Sequence, residues 1–156
     1  MHGKTVKESA LVTSIVMMPG DANPAGNVHG GVIMKHVDTT AGVVAFRHTR
    51  CNSVTASIDH LIFHHPVFIG DLLTLRASLN MASRTSMEIG VRVEAENLLT
   101  GEVRPTASAY LTYVALDNSG RPTDIPPLIL ETDEEKRRNQ EALARRATRL
   151  AGRDRG

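Results

Sequence analysis

Three consecutive stretches in the second half of the chain alternate apolar and polar residues after one long apolar stretch, and few folds accommodate that order. Leu73, Leu75, Ala77, Leu79 and Met81 occupy every second position, with Thr74, Arg76, Ser78 and Asn80 between them. A two-residue period of this kind marks a strand buried on one face. Met87, Ile89, Val91, Val93 and Ala95 repeat it against Glu88, Arg92, Glu94 and Glu96, and Leu99-Thr100-Gly101-Glu102 supplies the following turn. Ala107, Ala109, Leu111, Tyr113 and Ala115 make a third such strand, ended by Asp117-Asn118-Ser119-Gly120. Ser53 to Phe63 reads as a less regular strand, and Glu8 to Met18 as a strand closed by Pro19-Gly20.

The apolar stretch from Val32 to His48 has a different period. Ile33, Val37, Ala41 and Val44 fall on one helical stripe, with Met34 and Ala45 beside it. A helix apolar around most of its circumference is predicted to be buried. One strand, one buried helix and four hairpin-spaced strands point to an antiparallel sheet packed around that helix, not to alternating βαβ units. The predicted class is therefore α+β, with the second sheet face left for solvent or another subunit.

After the last strand, residues 121–130 carry three prolines and read as an extended exit segment. Thr132 with Glu135 has capping-box spacing, acidic residues fill the first turn, and Arg145, Arg146 and Arg149 lie near the end. A solvated C-terminal helix with a frayed tip at 152–156 is expected. A single domain over 1–130, followed by a charged helix and tail over 131–156, suits a chain of 156 residues.

Composition narrows the function. Eighteen Lys and Arg against 17 Asp and Glu leave a net charge of +1, too balanced for phosphate-backbone binding. With only three Phe, two Tyr and no Trp, base-stacking platforms are scarce as well, so nucleic acid is not an expected partner. No apolar run approaches the roughly 20 residues of a membrane span, so no membrane partner is expected. Cys51 is the sole cysteine, and the first residues do not resemble a secretory signal; the expected setting is cytoplasmic.

The chemistry concentrates in Asp21 to Ala45. Gly30 and Gly31 stand where a Pro/Gly/Asn-rich loop enters the helix, and the first free N–H groups there can hold an oxyanion. The alternative is that the pair only lets the loop turn. Asp38 interrupts the apolar helix, where a carboxylate needs a partner or a task because desolvating it is expensive. Its alternative is a thin solvated strip shared with Lys35 or Thr39. At a rise of about 1.5 Å per residue, Asp38 lies about 10 Å along the axis from Gly31. That is too far for both to touch one carbonyl, so cooperation would require two subunits. No G-x-S-x-G, P-loop or G-x-G-x-x-G is present. His60, His64 and His65 lack metal-site spacing, and no metal is expected. His48 and Cys51, three apart, have the spacing of a catalytic pair, but the preferred reading of Cys51 is an ordinary buried or surface thiol.

The run DANPAGNVHGG, then Met34 and Asp38-Thr39-Thr40-Ala41-Gly42, resembles the hotdog-fold acyl-CoA thioesterases of the cytosolic acyl-CoA hydrolase type. The likeness continues through Val54-Thr55, His65-Pro66-Val67, Arg84-Thr85-Ser86, Glu96-Asn97-Leu98-Leu99-Thr100-Gly101 and Tyr113-Val114-Ala115-Leu116. It implies a hotdog fold, a long helix wrapped by an antiparallel sheet of about five strands. It also implies hydrolysis of fatty acyl-CoA to free acid and coenzyme A, with no cofactor beyond the coenzyme A of the substrate.

By the same resemblance Asp38 acts as general base or nucleophile, and Asn23 positions substrate or water from the opposite subunit. Gly31, with Gly30, presents N–H groups to the thioester oxygen. Thr55 lies near the reacting groups, and Ser86 lies near the pantetheine arm. His29, read from its place beside the glycine pair, either lines the pocket or simply closes the loop. The implied partners are acyl-CoA and the chain itself, as a dimer or a trimer of dimers. A non-catalytic acyl-CoA-binding or regulatory hotdog module is the alternative, and a hydratase of the same fold is a third reading.

Overall fold

The computed structural model describes residues 1–155, with side-chain surroundings through residue 153. Its elements in chain order are β1 (Lys4–Thr5), β2 (Leu11–Val16), α1 (Gly30–Thr49), β3 (Ser53–Phe63), β4 (Leu72–Ala82), β5 (Ser86–Glu96), β6 (Val103–Ala115), β7 (Leu128–Ile129) and α2 (Asp133–Arg155). Five strands form one sheet in the order β2-β4-β5-β6-β3, every pairing antiparallel. The short β1 and β7 pair with each other in parallel and tie the start of the chain to the proline-rich exit segment.

Helix α1 lies across one face of this sheet. Ile33, Val37, Ala41, Val44 and Ala45 are buried against Leu75, Ile89, Val93 and Leu111, the inward members of the alternating strands. Each fully buried aliphatic side chain contributes roughly 1.5–3 kcal/mol, so this seam holds the helix in place. Val37→Asp would put an unpaired charge at a fully buried position and break it. The helix begins two residues before the predicted Val32, because the weak helix formers Gly30 and Gly31 occupy its first turn. It ends where Arg50 turns left-handed at φ 55° and gives its N–H to the Phe46 carbonyl at 2.7 Å.

Four expectations need correction. The first strand is shorter than Glu8 to Met18, because Val6–Glu8 is a 3-10 turn and pairing with β4 covers only Leu11–Val16. Met81 does not share a face with Leu79, since a bulge between them sets Met81 opposite Glu88. Cross-strand partners share a face, so Met81 sits on the outer side of the sheet. Glu88 is not solvated as its alternation with Arg92 and Glu94 suggested; it is 2% exposed.

The cause of that burial is the fourth correction. Helix α2 packs on the outer face of the sheet instead of standing in solvent, with Ala142 buried beneath it. Arg145 clamps Glu88 with two bonds of 2.8 Å, and Asn80 Nδ2 gives Glu88 a third at 2.9 Å. The Arg145 guanidinium also lies 3.6 Å from the centre of the Tyr110 ring. Asn139 donates to the Asn80 carbonyl, and Arg149 reaches Asp59.

At the start of α2, Thr132 Oγ1 accepts the Glu135 N–H as the capping spacing requires. Glu135 bonds back to the Glu131 N–H, one residue earlier than a reciprocal box would have it. The helix continues through Arg155, and Gly156, the end of the predicted frayed tip, lies outside the described residues. No helix among the described residues is long and apolar enough to cross a membrane.

Candidate active site

Asp38 is the one acidic residue on α1, and the sheet supplies its partners. Thr55 on β3 and Tyr113 on β6 are directly opposite each other in the strand register, so both side chains point to the same face. Thr55 Oγ1 donates to Asp38 Oδ1 at 2.8 Å. The Tyr113 hydroxyl lies 2.6 Å from the same oxygen and 2.7 Å from the Asp38 carbonyl, and it has one proton for the two. Burial, and then the bond to Asp38, holds that hydroxyl well above the usual tyrosine range, so Tyr113 remains a protonated donor. Asp38 Oδ2 has no partner among the described residues. Asp38 is therefore not on a free solvated strip: the carboxylate is turned to the sheet, with one oxygen tied and one available.

The sequence pattern marks Tyr113 as an inward strand position, and that position itself carries a signal. An inward-facing tyrosine needs a partner for its hydroxyl, and Asp38 is the carboxylate on the facing helix. Gly42, one turn after Asp38, lies against the ring: a Cβ there would be 3.7 Å from the hydroxyl oxygen, an ordinary contact distance.

Gly30 and Gly31 are the first two residues of α1, and neither N–H finds an acceptor among the described residues. Phe63 lies over Gly30, whereas a Cβ on Gly31 would meet nothing within 4 Å. Packing inside the subunit thus does not require glycine at 31, and that end of the helix is open. His29 occupies the cap position, exposed, with no side-chain cap bond, and its N–H goes to the Asp21 carbonyl.

Asn23 has a structural task of its own. Its Oδ1 accepts the N–H groups of Ala25 and Asn27 at 2.9 and 3.1 Å, which closes the loop ahead of the helix and leaves only the Nδ2 donor for anything else. Ser86 lies opposite Val114, one residue out of phase with Tyr113, and its hydroxyl is 2.8 Å from Ser83 Oγ in the β4–β5 turn. Within one subunit the fold brings together Asp38, Thr55 and Tyr113. It does not bring Ser86 to them, and the glycines stand two helical turns away.

No group of three His, Cys, Asp or Glu among the described residues could hold a metal ion. A cleft of 540 Å³ lies on the other side of the sheet between α2 and residues such as Arg76, Arg92 and Ser108. Asp38 instead sits beside the unpaired edge of β3, where Thr55 is exposed.

This geometry has close counterparts. Residues 25–102 match the profile of the thioesterase superfamily. The rat cytosolic acyl coenzyme A thioester hydrolase is 41% identical over 81% of this chain and 34% of its own length. The chain thus spans about a third of the length of that relative. A hexameric acyl-CoA thioesterase solved in its apo form superposes with a TM-score of 0.92 at 37% identity, covering 97% of each chain. An acyl-CoA hydrolase from Staphylococcus aureus, solved with butyryl coenzyme A and coenzyme A, gives 0.89 at 32% identity over 97% of this chain and 93% of that one. Structures of that hydrolase also exist with alanine in place of one aspartate, one asparagine or one threonine. With a sheet wrapped on a long helix and agreement over nearly the full chain, this protein is a hotdog-fold member of the thioesterase superfamily.

Proposed function

We propose that the chain hydrolyses fatty acyl-CoA to the free acid and coenzyme A, at a site completed by a second copy of itself. The observation that carries the reading is the Asp38 carboxylate, the one acidic group on α1: Oδ1 is tied by Thr55 and Tyr113, and Oδ2 has no partner among the described residues. A thioester carbonyl is electrophilic and a thiol is a good leaving group, so one oriented carboxylate with an oxyanion site is sufficient chemistry and no cofactor is needed.

Asp38 acts through Oδ2, as base to a water, or as nucleophile on the thioester carbon, in which case a water then opens the acyl-aspartyl anhydride to free acid and restores the carboxylate. The oxyanion that forms takes the Gly31 N–H, with Gly30 beside it, at the positive end of the helix dipole. The departing sulfur gains a proton to give the coenzyme A thiol. Asn23 contributes its Nδ2 donor to substrate or water, His29 lines the approach, and Ser86 lies along the pantetheine path.

Distance requires the second copy. Gly31 and Asp38 are separated by about 10 Å of helix, so one carbonyl meets the glycines of one subunit and the carboxylate of the other. The free β3 edge and the exposed Phe46, Val54 and Phe63 near it supply an apolar surface for that pairing. In the S. aureus hydrolase the substituted asparagine, aspartate and threonine follow at spacings of 15 and 17 residues, and Asn23, Asp38 and Thr55 keep both spacings. We extend hexameric assembly to this chain from its hexameric relatives, arranged here as a trimer of dimers, and the cytoplasmic setting from the cytosolic one.

The test is thiol release from a panel of short- to long-chain acyl-CoAs by wild type and Asp38→Asn. Asp38→Asn keeps shape and loses basicity, so turnover should fall at least about 100-fold with binding retained. Near-normal turnover rejects Asp38. Silence from both proteins, with acyl-CoA still bound, favours the non-catalytic binding module. Mixing Asp38→Asn with Asn23→Asp subunits should restore activity in verified heterodimers, because one site then keeps both groups; Asp at 23 still accepts the two loop N–H bonds. No recovery rejects the shared site.

A further inference from the structure

We infer that Tyr113 is a positioning residue that, with Thr55, selects Oδ2 of Asp38 as the reacting oxygen. This deepens the hydrolase reading and rests on it. A carboxylate has two equivalent oxygens, and on a helix surface it rotates between them freely. Here both donors converge on one: Thr55 Oγ1 at 2.8 Å and the Tyr113 hydroxyl at 2.6 Å both meet Oδ1. The second acceptor in reach of Tyr113 is the Asp38 carbonyl at 2.7 Å, so the phenol grips the backbone and the side chain of the same residue.

Tyr113 is well placed for this because it is packed in the core. The residue is 2% exposed, with its ring in the core beside Met87 on β5, and its hydroxyl stays protonated. Thr55, by contrast, is exposed on the edge strand and has a bulge immediately after it. Of the two donors, the buried one therefore sets the geometry. Turning the carboxylate away from the two donors would break the Thr55 bond and leave Tyr113 only the Asp38 carbonyl to donate to, so the pair keeps one oxygen tied and the other presented. Misplacement of a reacting group by about 1 Å costs on the order of 100-fold in rate.

The experiment compares wild type, Tyr113→Phe and a protein with 3-fluorotyrosine introduced at position 113. Tyr113→Phe keeps the ring and removes the hydroxyl. Its kcat, normalised to the fraction of protein that binds coenzyme A, should fall about 10- to 100-fold with KM within about twofold. In an Asp38→Asn background the same change should cost little more, since the hydroxyl acts through the carboxylate. A kcat within twofold of wild type, or an equal loss in the Asp38→Asn background, overturns the inference.

Should Tyr113→Phe fail to fold, the fluorinated residue decides, because it alters the acidity of the phenol and hardly its size. A changed kcat at constant KM supports positioning, and an unchanged kcat refutes it. Wild-type turnover with an insensitive position 113 sinks this inference alone, whereas absence of turnover in wild type sinks the hydrolase reading beneath it.

Discussion

Replacing Arg145 by Met should destabilise the protein by about 3 to 4 kcal/mol, although the residue belongs to a helix that reads as solvated. Arg145 holds Glu88 by two bonds of 2.8 Å, and the Glu88 side chain is 2% exposed. Without the guanidinium, Glu88 keeps a single donor, the Asn80 amide. Leaving a buried charge unpaired costs about 3–5 kcal/mol. The Arg145 side chain is 18% exposed, so some water can enter where it stood, which puts the cost near the lower bound. Loss of the cation over the Tyr110 ring adds about 0.5–1 kcal/mol.

For a chain of this size each kcal/mol moves Tm by roughly 2–4 °C, so a drop of about 10 °C is expected. Urea unfolding at one fixed protein concentration measures it, since self-association would otherwise shift the midpoint. The double variant Glu88→Gln with Arg145→Met removes the stranded charge and should recover more than half of the loss. The difference between the two isolates the charge from the packing. A loss below about 1 kcal/mol for Arg145→Met, the range of an exposed ion pair, would refute the view that this contact docks α2 on the sheet. So would a double variant no more stable than the single one.

Two further perturbations separate stability from activity. His48 is buried with Nε2 2.7 Å from the Pro126 carbonyl and Nδ1 without a partner, and burial holds its protonation below the usual histidine range of 6.5. Between the folded and unfolded values the unfolded chain binds more protons, so the stabilisation is complete above about pH 6.5 and lost as pH falls below it. Urea midpoints between about pH 5 and 8 should therefore decline more steeply on acidification for wild type than for His48→Gln, and parallel curves would exclude His48 as the source. Gly31→Ala adds a methyl where nothing lies within 4 Å in the subunit. It should leave stability unchanged or raised by up to about 1 kcal/mol. Thiol release should nevertheless fall on the order of 10- to 100-fold if the thioester oxygen approaches that N–H; full activity would remove Gly31 from the site.

Local pattern carried most of the fold. The two-residue period of β4, β5 and β6 and the helical stripe of α1 each report which side of an element is buried, and burial of those sides leaves little choice but a sheet wrapped on a helix. What local pattern could not carry was the outer face. Glu88 alternates with Arg92 and Glu94 as a solvated residue would, and only Arg145, 57 residues further on, makes it buried. The bulge that moves Met81 to that same face is likewise invisible, because an alternating string does not announce an inserted residue.

The site divides along the same line. Asp38 stands out in the sequence because it is the one acidic residue on α1, and Gly31 because a glycine pair opens that helix. Thr55 came from resemblance, and Tyr113 was hidden by being apolar for most of its length. Their joint task depends on the β3–β6 register, which pairs positions 58 residues apart. Packing also keeps the two halves of the proposed site apart within one chain. It fixes Asp38 against the β3 edge, while the open end of α1 stays two turns away, and neither can shift without unpacking the seam of Ile33, Val37, Ala41 and Val44. A carbonyl that needs both groups must therefore find them on different chains.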